Sequence, residues 1–351
     1  MRSLLTSSPT ALAARRSASR SLAGRVVVIV GASSGIGRAT AVSLAEHRCR
    51  LVLAARSDAA LQAVARACAE RGAEVEVVPT DVGSPAAVDE LADRSLARFG
   101  TVDVWIQAAA MVIAGPIGEE SPEEVARLVQ TNVTGSYLAA RRALSLFQGQ
   151  GTGHLILVGS ILGITPNPAV PAYVMSKYAV RGLAVTLQRA VAGLPHVDVS
   201  LVLPGPVDTP LFTRAANHSG RRLRAIPPAY DPERVAAAVV ACVRRPRSQV
   251  TAGVLSRLVL AAHRLAPATV DRLVAAYAQR ALLASTPEPH HSGALFAAPE
   301  QGAIDGGWRH GKVRRALGTA WGRTLSRRGT PGTSDRRRAL PSRLAVRSRS
   351  A

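Results

Sequence analysis

The chain has 351 residues, a formal net charge of +21, 47% hydrophobic residues and three cysteines. Three cysteines are too few for a disulfide scaffold, and this composition also excludes collagen-like and wholly disordered chains. A strongly basic chain raises the hypothesis of nucleic-acid binding. However, residues 1–25 carry +5 and residues 301–351 carry +11, whereas residues 26–231 carry only +1. We therefore expect no specific nucleic-acid partner.

The first 23 residues are rich in Arg and Ser and contain no acid. We interpret residues 1–23 as a disordered basic extension of a cytoplasmic bacterial protein, because Arg greatly outnumbers Lys, as in proteins from GC-rich genomes. An organellar transit peptide, which has the same composition, is the alternative. No stretch of about 18 uncharged apolar residues is present, so we predict no membrane span.

The body of the chain alternates short β-branched runs with longer amphipathic stretches. The predicted strands are residues 26–30, 51–53, 75–78, 102–106, 154–158, 197–202 and 249–251. The predicted helices are residues 35–47, 59–71, 85–99, 132–147, 172–192 and 231–244. This α/β alternation predicts a doubly wound parallel sheet of about seven strands between two helical layers, a three-layer Rossmann fold. We expect a single catalytic domain over residues 24–252, with flexible tails.

A glycine-rich turn follows the first predicted strand. Gly31 permits a tight turn, Gly35 permits close approach of a pyrophosphate, and Gly37 permits close packing of helix on sheet. The helix that follows presents free N–H groups and its positive dipole end to phosphates. Between the glycines lie further candidate cofactor ligands: Ser33, Ser34 and Ile36.

The end of the second strand bears on the choice of cofactor. NAD-binding sites usually carry Asp or Glu there, for the ribose hydroxyls. This chain instead has small neutral residues followed by Arg56, and Arg38 lies close to the glycine-rich turn. Two guanidiniums can hold a 2′-phosphate, so we predict NADP(H) in preference to NAD(H). The alternative is that both side chains are solvated.

A candidate catalytic set begins where the fifth long strand ends. Ser160 follows that strand, and Tyr173 opens the next helix. Lys177 is four residues beyond Tyr173, so both side chains lie on one helical face. Lys177 is also the only lysine before residue 312. Arg can replace a general surface cation but not a compact ammonium beside a phenol, which favours a functional role for Lys177.

Taken together, these motifs resemble those of the short-chain dehydrogenase/reductase family. The resemblance rests on five motifs in order: Gly31-x-x-x-Gly35-x-Gly37, Asn132, Ser160, Tyr173-x-x-x-Lys177 and the Pro204-Gly205 to Thr209 segment. It covers residues 24–251 and implies oxidoreduction between carbonyl and alcohol. No metal site is expected.

The resemblance also implies individual roles. Tyr173 would be the general acid in reduction and the base in oxidation, with a pKa lowered by Lys177 and the oxidised nicotinamide. Ser160 would bind the substrate oxygen, Lys177 the nicotinamide ribose, and Asn132 a water that links Lys177 to solvent. Further expected cofactor contacts are Asp81, Val82, Ala108, Pro204, Gly205, Val207 and Thr209. Without the family, Asn132 could merely start a helix and Asp81 could cap a turn.

One segment departs from the family pattern. Residues 107–110 read Gln-Ala-Ala-Ala where Asn-Asn-Ala-Gly is usual, beside the predicted adenine pocket. The change removes local hydrogen bonds and crowds the backbone near the cofactor. It lends some weight to an alternative function, a non-catalytic nucleotide-bound scaffold or regulatory protein with an Arg-rich tail. Because the catalytic set is intact, we favour an active enzyme.

Apolar residues are predicted to form the substrate pocket: Ile161, Leu162, Met111, Leu211 and Phe212. With Ser160 and Tyr173, they predict a hydrophobic carbonyl or alcohol as substrate, under a mobile lid of residues 210–228. Residues 253–300 are predicted to be a helical extension with helices over 254–266 and 268–283, and residues 301–351 a disordered Arg-rich tail. The extension is predicted to pack on the body or to form the interface of a homodimer or homotetramer, and peripheral membrane contact is the alternative.

Overall fold

The chain is described here from a computed structural model that covers residues 21–308. The predicted basic extension therefore lies outside the described residues except for residues 21–23, and so does the Arg-rich tail from residue 309 onward. All three cysteine thiols are buried and unpaired, as the composition predicts.

Seven parallel strands form the central sheet, which confirms the predicted fold class. Their bounds differ from the predicted ones by at most a few residues. The strands are β1 (Val26–Val30), β2 (Arg50–Ala55), β3 (Val75–Pro79), β4 (Val104–Gln107), β6 (Gly153–Val158), β7 (Val197–Pro204) and β10 (Gln249–Ala252). The short strands β5 (Ile113–Ala114), β8 (Ala216–Asn217) and β9 (Arg221–Leu223) lie outside this sheet.

The strand order is β10-β7-β6-β4-β1-β2-β3, so the chain winds outward from β1 in both directions. β1 pairs with β2 on one side, Val28 opposite Val52, and with β4 on the other, Val28 opposite Trp105. The reversal of strand order between β1 and β4 opens a crevice at the carboxyl ends of these strands. Ligands bind at such a switch point in doubly wound folds.

Helices cover both faces of the sheet. Those in the body are α1 (Gly35–Ala45), α2 (Asp58–Ala69), α3 (Pro85–Phe99), α4 (Pro122–Val129), α5 (Gly135–Gln150), α6 (Pro171–Ala190) and α7 (Pro232–Arg244). Side chains alternate along β1, so Val28 packs in one core with Trp105 and Phe147, while Ile29 packs in the other with Leu44. The apolar strands are thus buried on both faces, as a covered parallel sheet requires.

The C-terminal extension consists of α8 (Val254–Leu265), α9 (Pro267–Leu282) and strand β11 (Leu283–Pro287). β11 pairs antiparallel with β9, and β8 pairs with β5. Residues 210–228, which the sequence predicts to be a mobile lid, are therefore tied by two strand pairs. The structure also places residues 301–308 against the body, so the ordered chain extends beyond the predicted boundary at residue 300.

Candidate active site

A cavity of about 510 Å³ lies at the carboxyl ends of the central strands. It begins at the glycine-rich turn after β1, passes the ends of β2 and β4, and reaches Ser160, Tyr173 and Lys177 beyond β6. Residues of α8 and α9 line its far side. The cavity thus joins a candidate dinucleotide cleft to a candidate reaction site.

The glycine-rich turn is too tightly packed for side chains at two of its glycines. A Cβ at Gly37 would lie 2.1 Å from the carbonyl oxygen of Gly31, and one at Gly31 would lie 2.6 Å from the nitrogen of Ala109. Gly31 also has a φ of 89°, in the left-handed region. These close approaches fix the start of α1 beside the strand ends.

The N-terminus of α1 differs from those of the next three helices. Ser57, Ser84 and Ser121 each accept a backbone hydrogen bond at the start of α2, α3 and α4. Ser34 precedes α1 but makes no such side-chain bond. The first N–H groups of α1 are therefore left to other partners, as at anion-binding helix ends.

Three predicted catalytic residues meet at the cavity wall. Ser160 extends from the end of β6, where its hydroxyl oxygen accepts a bond from the Leu162 amide. Pro171 sets the start of α6, which carries Tyr173 and Lys177 one turn apart. The Lys177 Nζ lies 5.5 Å from the centre of the Tyr173 ring and donates to the Val158 carbonyl. Tyr173 is 8% exposed and Lys177 is 4% exposed.

Burial sets the protonation of this pair. It raises the pKa of Tyr173 well above its ordinary value, although a hydrogen bond with Ser160 acts in the opposite direction. It lowers the pKa of Lys177 to about 8, because the ammonium is desolvated. The polypeptide alone therefore does not produce the lowered Tyr173 pKa that the resemblance implies. It holds a protonated phenol beside an easily deprotonated amine.

Asn132 lies in a π-helical turn, Gln130–Thr134, between α4 and α5. Its side chain accepts from the Met111 amide and donates to the Met111 carbonyl and to the Ser176 hydroxyl. Such π-turns often mark functional positions. Asn132 does not itself line the cavity; it anchors the loop after β4 to α6, next to Lys177.

The predicted cofactor residues converge with one exception. All of them except Arg38 line the cavity: Gly31, Ser33, Ser34, Gly35, Ile36, Gly37, Arg56, Asp81, Val82, Ala108, Tyr173, Lys177, Pro204, Gly205, Val207 and Thr209. The Arg38 guanidinium instead donates to the Gly302 carbonyl. The role of Arg38 as a ligand of the 2′-phosphate therefore stays a prediction.

Asp81 and Arg56 share a neighbour that the sequence analysis missed. Arg127 of α4 donates to the Asp81 carboxylate at 2.6 Å, and the Gly83 amide donates to the same carboxylate. Burial alone would raise the Asp81 pKa, but these bonds and the charges of Arg127 and Arg56 hold it below its usual value. The sequence did contain a signal for this helix: Ser121 is followed by Pro122 and two glutamates, which together form the N-terminal cap of α4.

Residues 288–308, which we call the strap, cross the cleft from the outside. Both terminal nitrogens of Arg56 donate to strap carbonyls, those of Leu295 and Ala294, at 2.8 and 2.6 Å. The Gly35 amide, at the start of α1, donates to the Ala303 carbonyl at 2.8 Å. The strap thus bonds to groups that the sequence analysis assigned to a cofactor.

The substrate side of the cavity is apolar. All five predicted pocket residues line it: Met111, Ile161, Leu162, Leu211 and Phe212. The extension adds a wall that the sequence analysis did not assign, formed by Leu255, Val259, Leu273, Val274, Tyr277 and Ala278. Behind this wall, Leu282 is fully buried in one cluster with Tyr173 and Leu223. The extension is therefore part of the site.

The segment that departs from the family pattern has a visible consequence. Gln107 is buried at the end of β4, and neither its amide nitrogen nor its amide oxygen has a hydrogen-bond partner among residues 21–308. Ala108, Ala109 and Ala110 still line the cavity. The altered residues thus leave the cavity open.

The residues present fit a nicotinamide dinucleotide. A glycine cradle that a Cβ would fill, an uncapped helix start and a cationic Arg56 occur along one elongated cavity that ends at Tyr173 and Lys177. Glycine turns and helix N-termini of this kind bind pyrophosphate, and guanidinium binds phosphate. The groups along the cavity follow the order in which such a cofactor presents its parts.

Comparisons with known proteins agree with this geometry. A sequence family described as short chain dehydrogenase matches residues 25–219. An uncharacterized oxidoreductase of Bacillus subtilis, YxnA, is 30% identical over 291 residues, which cover 80% of each chain.

Solved structures of dehydrogenases are also similar to this chain. A short-chain dehydrogenase/reductase from Burkholderia phymatum in complex with NAD has a TM-score of 0.62 and 27% identity, over 72% of this chain and 96% of that one. An alcohol dehydrogenase from Thermococcus sibiricus complexed with 5-hydroxy-NADP has a TM-score of 0.56 and 28% identity, over 65% and 95% of the two chains.

Proposed function

The chain belongs to the short-chain dehydrogenase family, and on that premise we propose that it is an NADP(H)-dependent oxidoreductase. The reaction interconverts a carbonyl and an alcohol on a hydrophobic small molecule, with Tyr173 as general acid and base. The observation that carries this proposal is the buried Tyr173–Lys177 pair facing the same cavity as the glycine-rich turn. Neither element alone supports oxidoreduction as strongly as their occurrence in one cavity.

The proposed reduction uses the protonation states described above. When bound, the cofactor supplies the hydride that adds to the carbonyl carbon. Tyr173 donates its hydroxyl proton to the carbonyl oxygen, and its raised pKa keeps that proton in place at neutral pH. Ser160, which is hydrogen-bonded to Tyr173, orients the same oxygen and stabilises the negative charge that develops on it.

Lys177 and Asn132 have supporting roles in this proposal. The Lys177 ammonium returns a proton toward Tyr173 and binds the ribose beside the nicotinamide. Asn132 bonds to Ser176, the neighbour of Lys177 in α6, so it holds the turn of helix from which Lys177 extends. The water relay through Asn132 to solvent stays a prediction.

The preference for NADP(H) rests on Arg56. β2 ends in the small neutral residues Ala54 and Ala55, and Arg56, which follows them, lines the cavity with Arg127 and Asp81 nearby. NAD(H) remains the alternative cofactor. The structures similar to this chain include one described as in complex with NAD and one with an NADP derivative.

A panel assay tests the function. We expect oxidation of NADPH with apolar ketones or aldehydes, and a loss of turnover of about 10²- to 10⁴-fold in Tyr173→Phe, the range for positioned proton donors. Tyr137→Phe, a matched change at an exposed tyrosine, should leave turnover unchanged. NADPH binding without turnover of any carbonyl would favour the alternative of a nucleotide-bound scaffold protein.

The outer face of the extension supports the predicted homodimer or homotetramer. Leu258 and Leu265 are each more than half exposed on α8, and neither lines the cavity. Burial of such side chains in a second copy would stabilise an oligomer. Light scattering after gel filtration measures the oligomeric state directly.

Peripheral membrane contact is the alternative use of the same face. Four arginines lie on these two helices, Arg257, Arg264, Arg272 and Arg280, with Asp271 as the only acid. Within residues 21–308, no helix is both long and apolar enough to span a bilayer. A monomer that sediments with anionic but not neutral vesicles would support surface contact instead. Cytoplasmic location stays a prediction.

A further inference from the structure

The strap accepts hydrogen bonds from Arg56 and from the start of α1, two groups that NADP(H) and NAD(H) need to different degrees. Resting on the proposed function, we infer that residues 288–308 weaken the preference for NADP(H) that Arg56 gives: they compete with phosphate for Arg56 and the start of α1, and so they disfavour NADP(H) more than NAD(H). The reason lies in which groups the strap occupies. Both dinucleotides carry a pyrophosphate, but only NADP(H) carries the 2′-phosphate for which Arg56 is the candidate ligand.

The contacts at Arg56 are the first support. The Ala294 and Leu295 carbonyls accept from both of its terminal nitrogens, and Leu295 also accepts from the Arg127 Nε. A phosphate that bound Arg56 through the same two N–H groups would displace these carbonyls, because each N–H group offers one good bond. Burial and the Arg127 charge lower the Arg56 pKa, against the opposite effect of the Asp81 carboxylate, so a bound anion would stabilise the charged guanidinium.

The contacts at the glycine-rich turn are the second support. The Gly35 amide, which has no serine cap to bond, donates to the Ala303 carbonyl. The Arg38 Nη1 donates to the Gly302 carbonyl at 2.6 Å, so the other predicted phosphate ligand is also engaged. Here the strap carbonyls replace the anion that an uncapped helix start favours.

Further contacts seat the strap on the body of the protein. The His291 amide and carbonyl pair with Asn217, and the Ala294 amide donates to the Arg214 carbonyl. Leu295 is 1% exposed and packs with Leu128 of α4. Near its end, the Gly306 and Trp308 amides donate to one oxygen of the Asp208 carboxylate.

Charge is the third support. Residues 288–308 contain Glu288, Glu300 and Asp305 but no Lys or Arg, in a chain of net charge +21. The strap therefore lies as an acidic segment among Arg38, Arg56, Arg127 and Arg214, all of which donate to its carbonyls. This complementarity adds long-range attraction to the hydrogen bonds.

Two glycine variants loosen the strap without replacing any residue assigned to the cofactor. A Cβ at Gly302 would lie 1.9 Å from the Ser33 carbonyl oxygen, so Gly302→Val must move the strap. Gly293 has a φ of 53°, and its Cβ would lie 2.4 Å from the Ala215 carbonyl oxygen, so Gly293→Val loosens it at a second point. Gly149→Val is the matched control, because an added Cβ there meets no atom within 4 Å.

The readouts are the dissociation constants for NADPH and NADH, from fluorescence titration, and hydrogen exchange of the cofactor-free protein. We expect both strap variants to exchange faster at residues 294–306 and at Gly35. The NADPH dissociation constant should fall by about tenfold, the equivalent of one to two hydrogen bonds, and the NADH constant by about threefold or less. The control should match the unmodified chain.

Three results would overturn the inference, and each is distinct. Equal changes for both cofactors would exclude a role in specificity. Weaker binding of NADPH in the variants would show that the strap retains the cofactor instead. Unchanged hydrogen exchange in both variants would contradict the described seating of the strap.

The failure of the proposed function is a separate outcome. If neither the unmodified chain nor any variant binds a dinucleotide, the proposed function itself fails, and the inference fails with it.

Discussion

Residues 24–252 and residues 253–308 form opposite walls of the same cavity by different physical means. In the first region, seven strands buried on both faces hold the glycine-rich turn, Ser160 and the start of α6 at fixed positions. In the second region, α8 and α9 contribute apolar side chains, and the strap contributes backbone carbonyls that bond to arginines.

This difference separates the groups proposed to react from the groups proposed to select the substrate and the cofactor. The groups proposed to react extend from the end of β6 and the start of α6, where a displacement of one residue would require repacking of a dense core. The far wall of the substrate pocket and the outer side of the cofactor cleft belong to the extension, which has more exposed side chains, so substitution can alter it at lower cost. Changes in the body should therefore abolish function, whereas changes in the extension should alter preference.

The largest expected effect is in the body. In Gly37→Val, the new Cβ would lie 2.1 Å from the Gly31 carbonyl oxygen, which belongs to the backbone and cannot rotate away. We expect a loss of about 3 kcal/mol in the free energy of unfolding, with loss of dinucleotide binding. Urea denaturation and NADPH titration measure the two effects; Gly182→Val, with open space around it, is the control. Normal binding in Gly37→Val would show that the turn is not rigid.

A second substitution tests whether the extension belongs to the same folding unit. Leu282 is fully buried beside Tyr173 and Leu223. Leu282→Ala should lower the free energy of unfolding by about 2–3 kcal/mol, through lost burial and a cavity. Urea denaturation should still show one transition. Leu265→Ala, at a side chain that is 89% exposed, should change little. Two separate transitions would show that the extension unfolds independently.

The choice of cofactor depends on both regions. In Arg56→Asp, a carboxylate would stand at the end of β2, where it repels a 2′-phosphate but can accept from ribose hydroxyls. We expect the ratio of the Michaelis constants for NADPH and NADH to rise by roughly 30-fold, the loss of about two charge-assisted bonds. Arg245→Asp, an exposed change away from the cavity, is the control. An unchanged ratio would remove the basis for the NADP(H) preference.

The smallest expected effect concerns pH. The folded pKa of Lys177, about 8, lies below the ordinary 10.5, so the unfolded chain binds more protons between these values. Stability contributed by this group therefore rises with pH through that window. Relative to Lys177→Met, the unmodified chain should gain about 2 kcal/mol in the free energy of unfolding between pH 8 and pH 9.5. A pH-independent difference would mean that the ammonium is not desolvated.

Local sequence patterns were sufficient to predict much of the secondary structure of residues 24–252. The β-branched runs predicted all seven strands of the sheet, and Pro85–Phe99 was predicted to the residue because Ser84 and Gly100 cap its two ends. The helix α4 was missed because it is short, although Ser121 and Glu124 form a capping box. The short strands β5 and β8 were missed because two residues carry no period.

The sequence by itself determined the fold class, the glycine-rich turn and the placement of Tyr173 and Lys177 one helical turn apart, because strand burial, tight turns and helical spacing depend on neighbours along the chain. Only the tertiary structure decided what faces these groups. Arg56 meets Leu295 across 239 residues of sequence, and Arg38 meets Gly302 across 264. Such bonds use backbone carbonyls, which every residue type has, so no pattern of side chains could indicate them. The net charge of +21 likewise gave no indication of the acidic strap, and only the fold places that segment among arginines.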